Sequence, residues 1–390
     1  MRVLFSTTGH SGHLLPLVPL ARACVRAGHD VVVVTHAPRA ENVERLGLPV
    51  HAVAVAPDEA WAPLMARIPS LRQSEGDALI ISEGFARTGA GGALPGVVAA
   101  VAALAPDVVV HEGYEFAAPI AAELHGRPLA RMALGLVSTE AWVVALGAPA
   151  VADLRRAAGL VPDAPTAPLF SLLPPAFDDG PATQRFRAGA PVGPAATDDG
   201  PPLVYVTLGS VTGSLPFYPA LHRRILDALA DLPARILMTL GRDADPDALG
   251  PAPANARVEA WVDQDEVLAH AAAVVSHGGH GTTLGALAHG VPQAILPLFA
   301  GDQWRTARRV GDLGAGVVLE DGERGVFEPP GDTVLAALAA AVRRLVDEPA
   351  FADAADALRA DFAGLATAED AVPMLEALVS GGAASTVATP

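Results

Sequence analysis

The chain has 390 residues, 51% of them apolar, and a formal net charge of −17 at pH 7. Its length and apolar content predict two globular domains, and its acidity argues against a nucleic acid or an anionic membrane surface as partner, because both attract cationic proteins. All 26 basic residues are arginines, which excludes chemistry that needs a lysine amine, and the single cysteine, Cys24, excludes internal disulfides, thiolate zinc sites and iron–sulfur clusters.

The N-terminal part of the chain has the pattern of a doubly wound α/β domain. Valine-rich runs, typical of parallel strands covered on both faces, alternate with helical segments and glycine turns. In chain order we predict the strand Arg2–Ser6, the turn Gly9–Gly12, the helix Leu14–Ala27, the strand Asp30–Thr35, the strand Asp107–Glu112 and the helix Phe116–His125.

Two stretches lack this alternation. Asp58–Pro95 is rich in proline, glycine and aromatic residues, and we predict an irregular, functional or mobile loop there. Val161–Pro202 is denser still in proline and glycine and shows neither a helical nor a strand period. It is therefore predicted to be the interdomain linker with its flanking loops.

The strand–glycine turn–helix pattern restarts in the second half of the chain, and similar units continue to about Glu348. An amphipathic segment and a frayed tail of small residues are predicted to follow. In chain order these elements are the strand Pro202–Leu208, the turn Gly209–Ser210, the helix Tyr218–Leu232, the strand Ala234–Leu240, the amphipathic segment Phe351–Val379 and the tail Gly381–Pro390.

These patterns predict two Rossmann-like domains with doubly wound parallel sheets, which face each other across a cleft lined by helix N-termini. The predicted regions are the N-terminal domain 1–177, the linker 178–201, the C-terminal domain 202–370 and the C-terminal segment 371–390. Histidines and glycines interrupt the apolar start of the chain, and no apolar run reaches the ~18 residues of a membrane span. We therefore expect a cytoplasmic protein without a membrane span, either a monomer or a homodimer.

One glycine-rich turn has the composition of an anion site. The predicted strand ending at Ser276 leads into His277-Gly278-Gly279-His280-Gly281, and a helix is predicted to begin at Thr282. Glycines let backbone amides approach an anion, and the first turn of a helix adds unpaired N–H groups and a positive dipole. With His277 as a further donor, the turn is predicted to hold a diphosphate without lysine. A βα turn that needs glycine only for packing is the alternative.

Polar and aromatic residues flank this turn on both sides in sequence. Trp261 precedes a predicted helix, Asp265–Ala273, and could stack on a nucleobase while the backbone of Val262 pairs with the base edge. Downstream, Asp302 and Gln303 supply acceptors and donors suited to sugar hydroxyls. The alternatives are core packing for the tryptophan and helix capping of Gln303–Val310 for Asp302.

The N-terminal half contributes a candidate acid–base pair. His13 begins a predicted helix and Glu112 ends a predicted strand, so both belong to the carboxyl edge of the sheet, where their side chains could meet. A carboxylate bound to one imidazole nitrogen fixes the tautomer and makes the other nitrogen a stronger base. Glu115 is the alternative partner. The non-catalytic interpretations are that Glu112 is a solvated loop acid and that His13 only caps or packs the start of its helix.

The combination of these motifs, in this order, resembles family 1 glycosyltransferases of the GT-B fold, especially the bacterial branch that glycosylates polyketides and other antibiotic aglycones. The resemblance extends from Met1 to about Leu378. It rests on Gly12-His13-Leu14-Leu15-Pro16, His111-Glu112, Trp261-Val262-Asp263-Gln264, the turn His277–Thr283 and Asp302-Gln303.

The resemblance implies a role for each matching residue. His13 would deprotonate the acceptor and Glu112 would orient His13, although the family more usually has aspartate at that position. The C-terminal segment would cross back onto the first domain. The implied donor-binding residues are Trp261 and Val262 at the base, Gln264 near the ribose, Ser210, His277, Gly279, His280, Gly281 and Thr282 at the diphosphate, and Asp302 and Gln303 at the sugar; Gly12 and Glu115 are further candidates.

The resemblance also implies an inverting reaction without a metal or other cofactor, in which a sugar passes from a nucleotide diphosphate to a hydrophobic acceptor. Members that use uridine donors commonly carry a ribose-binding glutamate where this chain has Gly285. We therefore predict a thymidine diphosphate (dTDP) donor, whose deoxyribose lacks the 2′-hydroxyl. A uridine donor and C-glycosylation are alternatives within the same reaction class, and a nucleotide-sugar epimerase and a non-catalytic partner protein are alternatives outside it.

Overall fold

The computed structural model describes residues 1–189, 193, 200–242 and 244–385. Within these residues the chain forms two parallel β-sheets, each flanked by helices, as the sequence predicts. Residues 190–192 and 194–199 of the predicted linker, and residues 386–390 of the predicted tail, lie outside the described part.

The first sheet has seven parallel strands in the order β3-β2-β1-β4-β5-β6-β7. Its strands are β1 (Arg2–Thr7), β2 (Asp30–His36), β3 (Val50–Val53), β4 (Val108–Glu112), β5 (Leu129–Met132), β6 (Leu169–Ser171) and β7 (Gln184–Arg185). The strand order reverses between β1 and β4, so a crevice opens beyond their carboxyl ends. His13 follows β1, and Glu112 is the last residue of β4.

The helices of the first domain cover both faces of this sheet. They are α1 (Ser11–Leu14), α2 (Val18–Arg26), α3 (Ala40–Glu44), α4 (Asp58–Arg67), α5 (Gln73–Leu79), α6 (Ala90–Leu104), α7 (Ala117–Leu124) and α8 (Val137–Ala157), with 3₁₀ turns at Leu15–Leu17, Ala37–Arg39 and Ile68–Ser70 and a π-helical stretch at Ile80–Gly89.

The prediction of an irregular loop over Asp58–Pro95 is wrong, because this region is helical from α4 to α6. Its glycines mark close approach between helices and their neighbours. A Cβ on Gly92 would collide with the backbone of Ala56, and one on Gly76 would collide with the side chain of Val326 in the second domain. Sequence composition does not separate glycines that serve packing from glycines that serve loops.

The predicted linker also begins too early. Strands β6 and β7 both lie within Val161–Pro202, and β7 lies within the narrower range 178–201. Phe186, directly after β7, is fully buried in the core of the first domain. Strands of two or three residues are too short to show a period in the sequence.

The second sheet has six parallel strands in the order β10-β9-β8-β11-β12-β13. Its strands are β8 (Leu203–Thr207), β9 (Arg235–Thr239), β10 (Ala256–Glu259), β11 (Ala271–Ser276), β12 (Gln293–Ile295) and β13 (Gly316–Val318). Here the order reverses between β8 and β11, and the turns that begin at Gly209 and His277 follow these two strands.

The second sheet is covered by α9 (Ala220–Leu229), α10 (Gln264–Leu268), α11 (His280–Ala288), α12 (Gly301–Asp312), α13 (Asp332–Asp347) and α14 (Pro349–Ala363), with 3₁₀ turns at Thr212–Ser214 and Pro246–Leu249. The predicted helix Asp265–Ala273 is too long, because α10 ends at Leu268 and β11 starts at Ala271. A short alanine and valine run does not reveal whether it is a buried strand or a helix.

The last helix, α15 (Ala368–Ser385), packs on the first domain. Ala371, Val372 and Leu375 are buried in the same core as residues of α2, and Nε2 of His29 lies 3.1 Å from a carboxylate oxygen of Glu376. The C-terminal segment therefore ties the second domain back to the first.

Two helical stretches, Gln73–Leu104 and Val137–Ala157, are long and apolar enough by length and composition to cross a bilayer. In the structure they pack against each other and share a core with strands of the first sheet. Helices in the core of a globular domain pass the same test of length and composition. The absence of a membrane span stays a prediction.

Candidate active site

The turn after β11 surrounds the imidazole of His277 with glycine backbone. A Cβ placed on Gly209 would lie 2.7 Å from a ring carbon of His277, and one on Gly279 would lie 2.5 Å from its Nε2. The turns after β8 and β11 can therefore close on this ring only if both positions are glycine. Gly209 also has φ +86°, a conformation that other residues adopt at a cost.

His277 is buried and His280 partly buried in this turn, and both are uncharged at neutral pH. Burial lowers the pKa of His277 to about 4 and that of His280 to about 4. Nδ1 of His277 and Nε2 of His280 have no hydrogen-bond partner among the described residues. Buried polar atoms are nearly always paired, so each of these nitrogens is suited to a bound polar group.

The start of α11 adds unpaired backbone donors. Gly279 caps this nine-residue helix in an extended conformation, and the first bond along the helix runs from the amide of Thr283 to the carbonyl of Gly279, at 3.0 Å. The amides of His280, Gly281 and Thr282 precede that bond and have no partner within the helix. Together with the histidines they form a site suited to an anion.

The residues predicted to bind the nucleobase follow strand β10. The Trp261 side chain is 52% exposed, and the guanidinium of Arg242 lies over its ring at 3.8 Å from the ring centroid. Val262 is partly buried beside it and packs on a small cluster of the second domain. Arg242 was not identified from the sequence, because nothing near it in the chain marks it as part of the site.

The side chain of Gln264 links the predicted base-binding residues to the anion site at the start of α11. Its Oε1 accepts a hydrogen bond from the Thr282 hydroxyl at 3.3 Å, and its Nε2 lies 2.7 Å from where a Cβ on Gly285 would be. The Gln264 side chain therefore fills the space in front of Gly285.

The predicted sugar-binding residues lie at the start of α12. Asp302 is in the first turn and is not the N-cap, which is Ala300. Burial raises the pKa of Asp302. Oε1 of Gln303 accepts hydrogen bonds from the amides of Leu298 (2.8 Å) and Phe299 (3.2 Å), so any ligand contact of this side chain would come from its NH₂ group.

Helix α5 of the first domain contacts the second domain next to the predicted sugar-binding residues. Nε2 of Gln73 donates to the Phe299 carbonyl at 2.6 Å and to Oδ1 of Asp77 at 3.0 Å. The Asp77 carboxylate accepts the amide of Gly301, and burial raises its pKa to about 7. Neither residue was identified from the sequence, because both fall in the stretch predicted to be an irregular loop.

His13 and Glu112 meet at the carboxyl edge of the first sheet. Nδ1 of His13 lies 3.2 Å from Oε1 of Glu112. Glu112 also accepts the amides of Thr8 (3.1 Å) and Tyr114 (2.7 Å), and its side chain is fully buried. Because an ionised carboxylate only accepts, Nδ1 carries the hydrogen, and the lone pair of the neutral ring is on Nε2.

The pairing changes the acid–base properties of both groups. Burial by itself would lower the pKa of His13, but the charge of Glu112 and the hydrogen bond to it outweigh burial, so the pKa is raised. Burial by itself would raise the pKa of Glu112, and its interactions with His13, Thr8 and Tyr114 reverse that effect, so the pKa is lowered. The charge of Asp302, on the second domain, also raises the pKa of His13.

Glu115 does not contact His13. Its carboxylate accepts the amides of Ala117 (3.1 Å) and Ala118 (2.8 Å) at the start of α7, and burial raises its pKa to about 7. The structure therefore pairs Glu112, and not Glu115, with His13.

An aromatic cavity adjoins the His13 ring. Phe85 stacks on the ring with centroids 5.6 Å apart, and Tyr114 meets it edge-on at 5.0 Å. Phe85 lies on the π-helical stretch, a type of helix that often occurs at functional sites. The residues that line the cavity are Thr8, His10, His36, Trp61, Phe85, Gly89, Ala90, Tyr114, Glu115 and Phe116.

Two further predicted residues lie at the rim of the site. Ser210 is exposed in the turn after β8. Gly12 is exposed on α1 beside His13, and a Cβ there would meet no atom within 4 Å. In the described part of the chain, no group of three or more histidine, cysteine or acidic side chains could hold a metal ion.

Comparisons with known proteins agree on one class of enzyme. The family model described as "Erythromycin biosynthesis protein CIII-like, C-terminal domain" matches residues 223–378. The L-demethylnoviosyl transferase of Streptomyces niveus is 34% identical over 340 residues, covering 82% of this chain and 85% of the relative. The elloramycin glycosyltransferase ElmGT of Streptomyces olivaceus is 34% identical over 403 residues, covering 95% of this chain and 99% of the relative.

Solved structures share the architecture over nearly the whole length. The glycosyltransferase SnogD from Streptomyces nogalater superposes with a TM-score of 0.74 at 26% identity, covering 97% of this chain and 99% of that one. The glycosyltransferase VinC, solved in complex with dTDP, superposes with a TM-score of 0.73 at 26% identity, covering 98% of this chain and 100% of that one.

Proposed function

The chain belongs to the actinomycete-type antibiotic glycosyltransferases of the GT-B fold, and we propose that it transfers a deoxysugar from a dTDP donor to a hydrophobic natural-product aglycone. In this proposal the second domain binds the donor, the first domain binds the acceptor, and His13 is the general base. The reaction inverts the anomeric centre, needs no metal and takes place in the cytoplasm.

One arrangement carries the proposal. His277 and His280, each with an unpartnered ring nitrogen, belong to the same turn as the open amides at the start of α11, and we assign Asp302, in the first turn of α12, to the sugar. The His13–Glu112 pair belongs to the other domain, and the charge of Asp302 raises the pKa of His13. A donor held at α11 would therefore present its sugar between the two domains, next to a base.

The donor assignment is supported by the surroundings of Gly285. A uridine donor has a ribose 2′-hydroxyl, which would need a polar partner. Gly285 lacks the carboxylate that binds this hydroxyl in uridine-using members, and the side chain of Gln264 occupies the space where such a carboxylate would lie. The relative VinC binds dTDP in its crystal structure, which is consistent with a thymidine donor here.

His13 begins the reaction by accepting a proton. Its neutral Nε2 takes the proton of the acceptor hydroxyl as the acceptor oxygen attacks the anomeric carbon from the face opposite the diphosphate. The bond to the diphosphate oxygen breaks, and that oxygen takes the electron pair. A carbon nucleophile on an activated aromatic ring is the alternative acceptor atom.

Charge on the leaving diphosphate is stabilised by fixed dipoles. The helix N-terminus, its open amides and the neutral imidazole donors replace the role that a metal has in other transferases. Contacts from Gln73 and Asp77 to Phe299 and Gly301 bring the domains together, which holds the reactants in position and excludes water.

The aromatic cavity beside His13 favours a hydrophobic acceptor, and hence transfer over epimerisation, which needs no acceptor pocket. The intact His13–Glu112 pair argues against a non-catalytic partner protein. The direct test is a mass-spectrometric screen of nucleotide sugars against aromatic and macrolide aglycones. Formation of a glycoside from a dTDP-sugar supports the proposal, and its failure with every donor and acceptor would contradict it.

We predict that the wild-type enzyme prefers the dTDP form of its donor sugar to the matched UDP form by about tenfold or more in kcat/KM, because an unpaired 2′-hydroxyl costs about 1–3 kcal/mol. Gly285→Glu should lower this ratio, since its carboxylate can bind the hydroxyl once Gln264 is displaced. Steady-state kinetics with both donors gives the ratio of kcat/KM values for each enzyme. Differences in the folded fraction of the two enzymes cancel in this ratio. A wild-type preference for the UDP form would contradict the donor assignment.

We predict that activity falls on the acid side with an apparent pKa above 6.5, because the pKa of His13 is raised. Below that pKa the ring carries two protons and cannot accept another. Glu112→Gln removes the charge that raises the pKa, so the acid limb should move to lower pH. Profiles of kcat/KM against pH for both enzymes test this prediction, and identical acid limbs would show that Glu112 does not tune His13.

A further inference from the structure

Arg242 covers the aromatic side chain that the proposed function assigns to the nucleobase. Its guanidinium carbon lies 3.8 Å from the centroid of the Trp261 ring. Both residues are exposed. Arg242 occupies one face of the indole, so a nucleobase that stacks on Trp261 with Arg242 in place would use the opposite face.

The backbone next to Arg242 lies between two parts of the proposed donor site. The amide of Gly241 donates to the carbonyl of Ala260 at 3.0 Å, directly before Trp261. On its other side, a Cβ on Gly241 would lie 3.0 Å from the Ser210 carbonyl oxygen, and Gly241 has φ +100°. The turn after β9 is therefore held between the base end and the diphosphate end of the site.

The anion site at the start of α11, here called the α11 cradle, has no full positive charge at neutral pH among the donors described above. Its two histidines are neutral, because burial lowers the pKa of each to about 4, and the chain contains no lysine. A nucleoside diphosphate carries two or three negative charges there. Helix dipoles and neutral donors offset part of that charge, and a guanidinium beside them would add charge-assisted hydrogen bonds.

The two contacts of an arginine are compatible. Stacking on an indole uses the face of the guanidinium, whereas hydrogen bonds to phosphate use its N–H edge. The stacked side chain is also restricted in its conformations before the ligand arrives, which reduces the entropy lost on binding.

We propose that Arg242 is a donor-binding residue that contacts the diphosphate of the nucleotide while it stacks on Trp261. This proposal rests on the proposed function, in that it assumes a nucleotide diphosphate at the α11 cradle. In this proposal Arg242, in the turn after β9, supplies the positive charge that the glycine turn after β11 lacks.

The experiment compares Arg242→Ala with wild-type enzyme in binding dTDP and thymidine, by calorimetry for dTDP and by competition for thymidine. Loss of a charged hydrogen bond should weaken dTDP by about 10- to 100-fold and leave thymidine within about twofold. The dependence of the dTDP dissociation constant on salt should also become shallower in the variant, because one charged contact is lost.

Arg257→Ala is the matched control, since Arg257 is an exposed arginine of β10 that pairs with Glu259 at 2.6 Å. It removes the same charge from the same domain and should leave dTDP binding unchanged. Equal weakening of dTDP and thymidine in Arg242→Ala would overturn the proposal, because Arg242 would then only support Trp261. So would unchanged dTDP binding, or an unchanged salt dependence. Failure of the wild-type enzyme to bind dTDP would instead remove the proposed donor, and this proposal with it.

Discussion

Replacing His13 with alanine should reduce glycosyl transfer by about 10²- to 10⁴-fold, the usual contribution of a general base. The reason is that Nε2 of His13 is the proton acceptor that the Glu112 carboxylate orients, through a hydrogen bond of 3.2 Å to Nδ1. Donor binding should be retained, because the proposed diphosphate contacts all belong to the second domain. Steady-state kinetics gives the loss in kcat, and calorimetry with dTDP shows whether the donor still binds.

The acceptor has to be chosen so that the base is needed. A phenol with a pKa well above the assay pH is suitable, whereas a phenol that is already ionised would react without His13. His51→Ala is the control, because His51 lies on strand β3 and is not part of the His13–Glu112 pair. Normal turnover of the un-ionised phenol by His13→Ala would show that another group removes the proton.

Replacing Gly279 with alanine should weaken dTDP binding by about 100-fold or more and abolish transfer at ordinary donor concentrations. The added Cβ would lie 2.5 Å from Nε2 and 2.6 Å from Cε1 of His277. The imidazole has little room to move, because the backbone of Gly209 also approaches its Cε1 and Nε2 atoms and its ring stacks on Phe299 with centroids 6.2 Å apart. The turn must then shift, and the amides at the start of α11 move with it.

This effect is steric rather than conformational, since Gly279 has φ −63°, which alanine adopts without strain. Gly381→Ala is the control, because a Cβ on this glycine of α15 meets no atom within 4 Å. Calorimetry with dTDP gives the affinity, and circular dichroism shows whether the variant is folded. A folded Gly279→Ala enzyme with wild-type affinity would mean that the diphosphate is not bound at this turn.

The long buried strands and the functional turns were predictable from the sequence because their signals are local. A run such as Val31–Val34 can be stable only between two covering layers, and glycines at 278, 279 and 281 after a strand indicate backbone that must approach something closely. The meeting of His13 and Glu112 followed from a topological rule, since both end up at the carboxyl edge of neighbouring strands.

Local sequence signals were misleading where the role of a residue is a contact with a distant part of the chain. Gly76 and Gly92 suggested a loop, yet each allows a close contact with a segment far away in the chain, Val326 and Ala56 respectively. Strand β7 was missed because two residues are too few to show a period, and its burial depends on a sheet that already exists.

The sequence by itself determined the two parallel sheets, the glycine turn at His277 and the candidate base. These depend on hydrophobic period, backbone freedom and strand topology, all of which are written in short stretches of chain. Only the tertiary structure decided that Glu112 and not Glu115 pairs with His13, that Gln73 and Asp77 reach the second domain, and that Arg242 lies on Trp261. Such contacts join residues that are distant in the chain or compete for one partner, so they are fixed by how the packed elements orient each side chain.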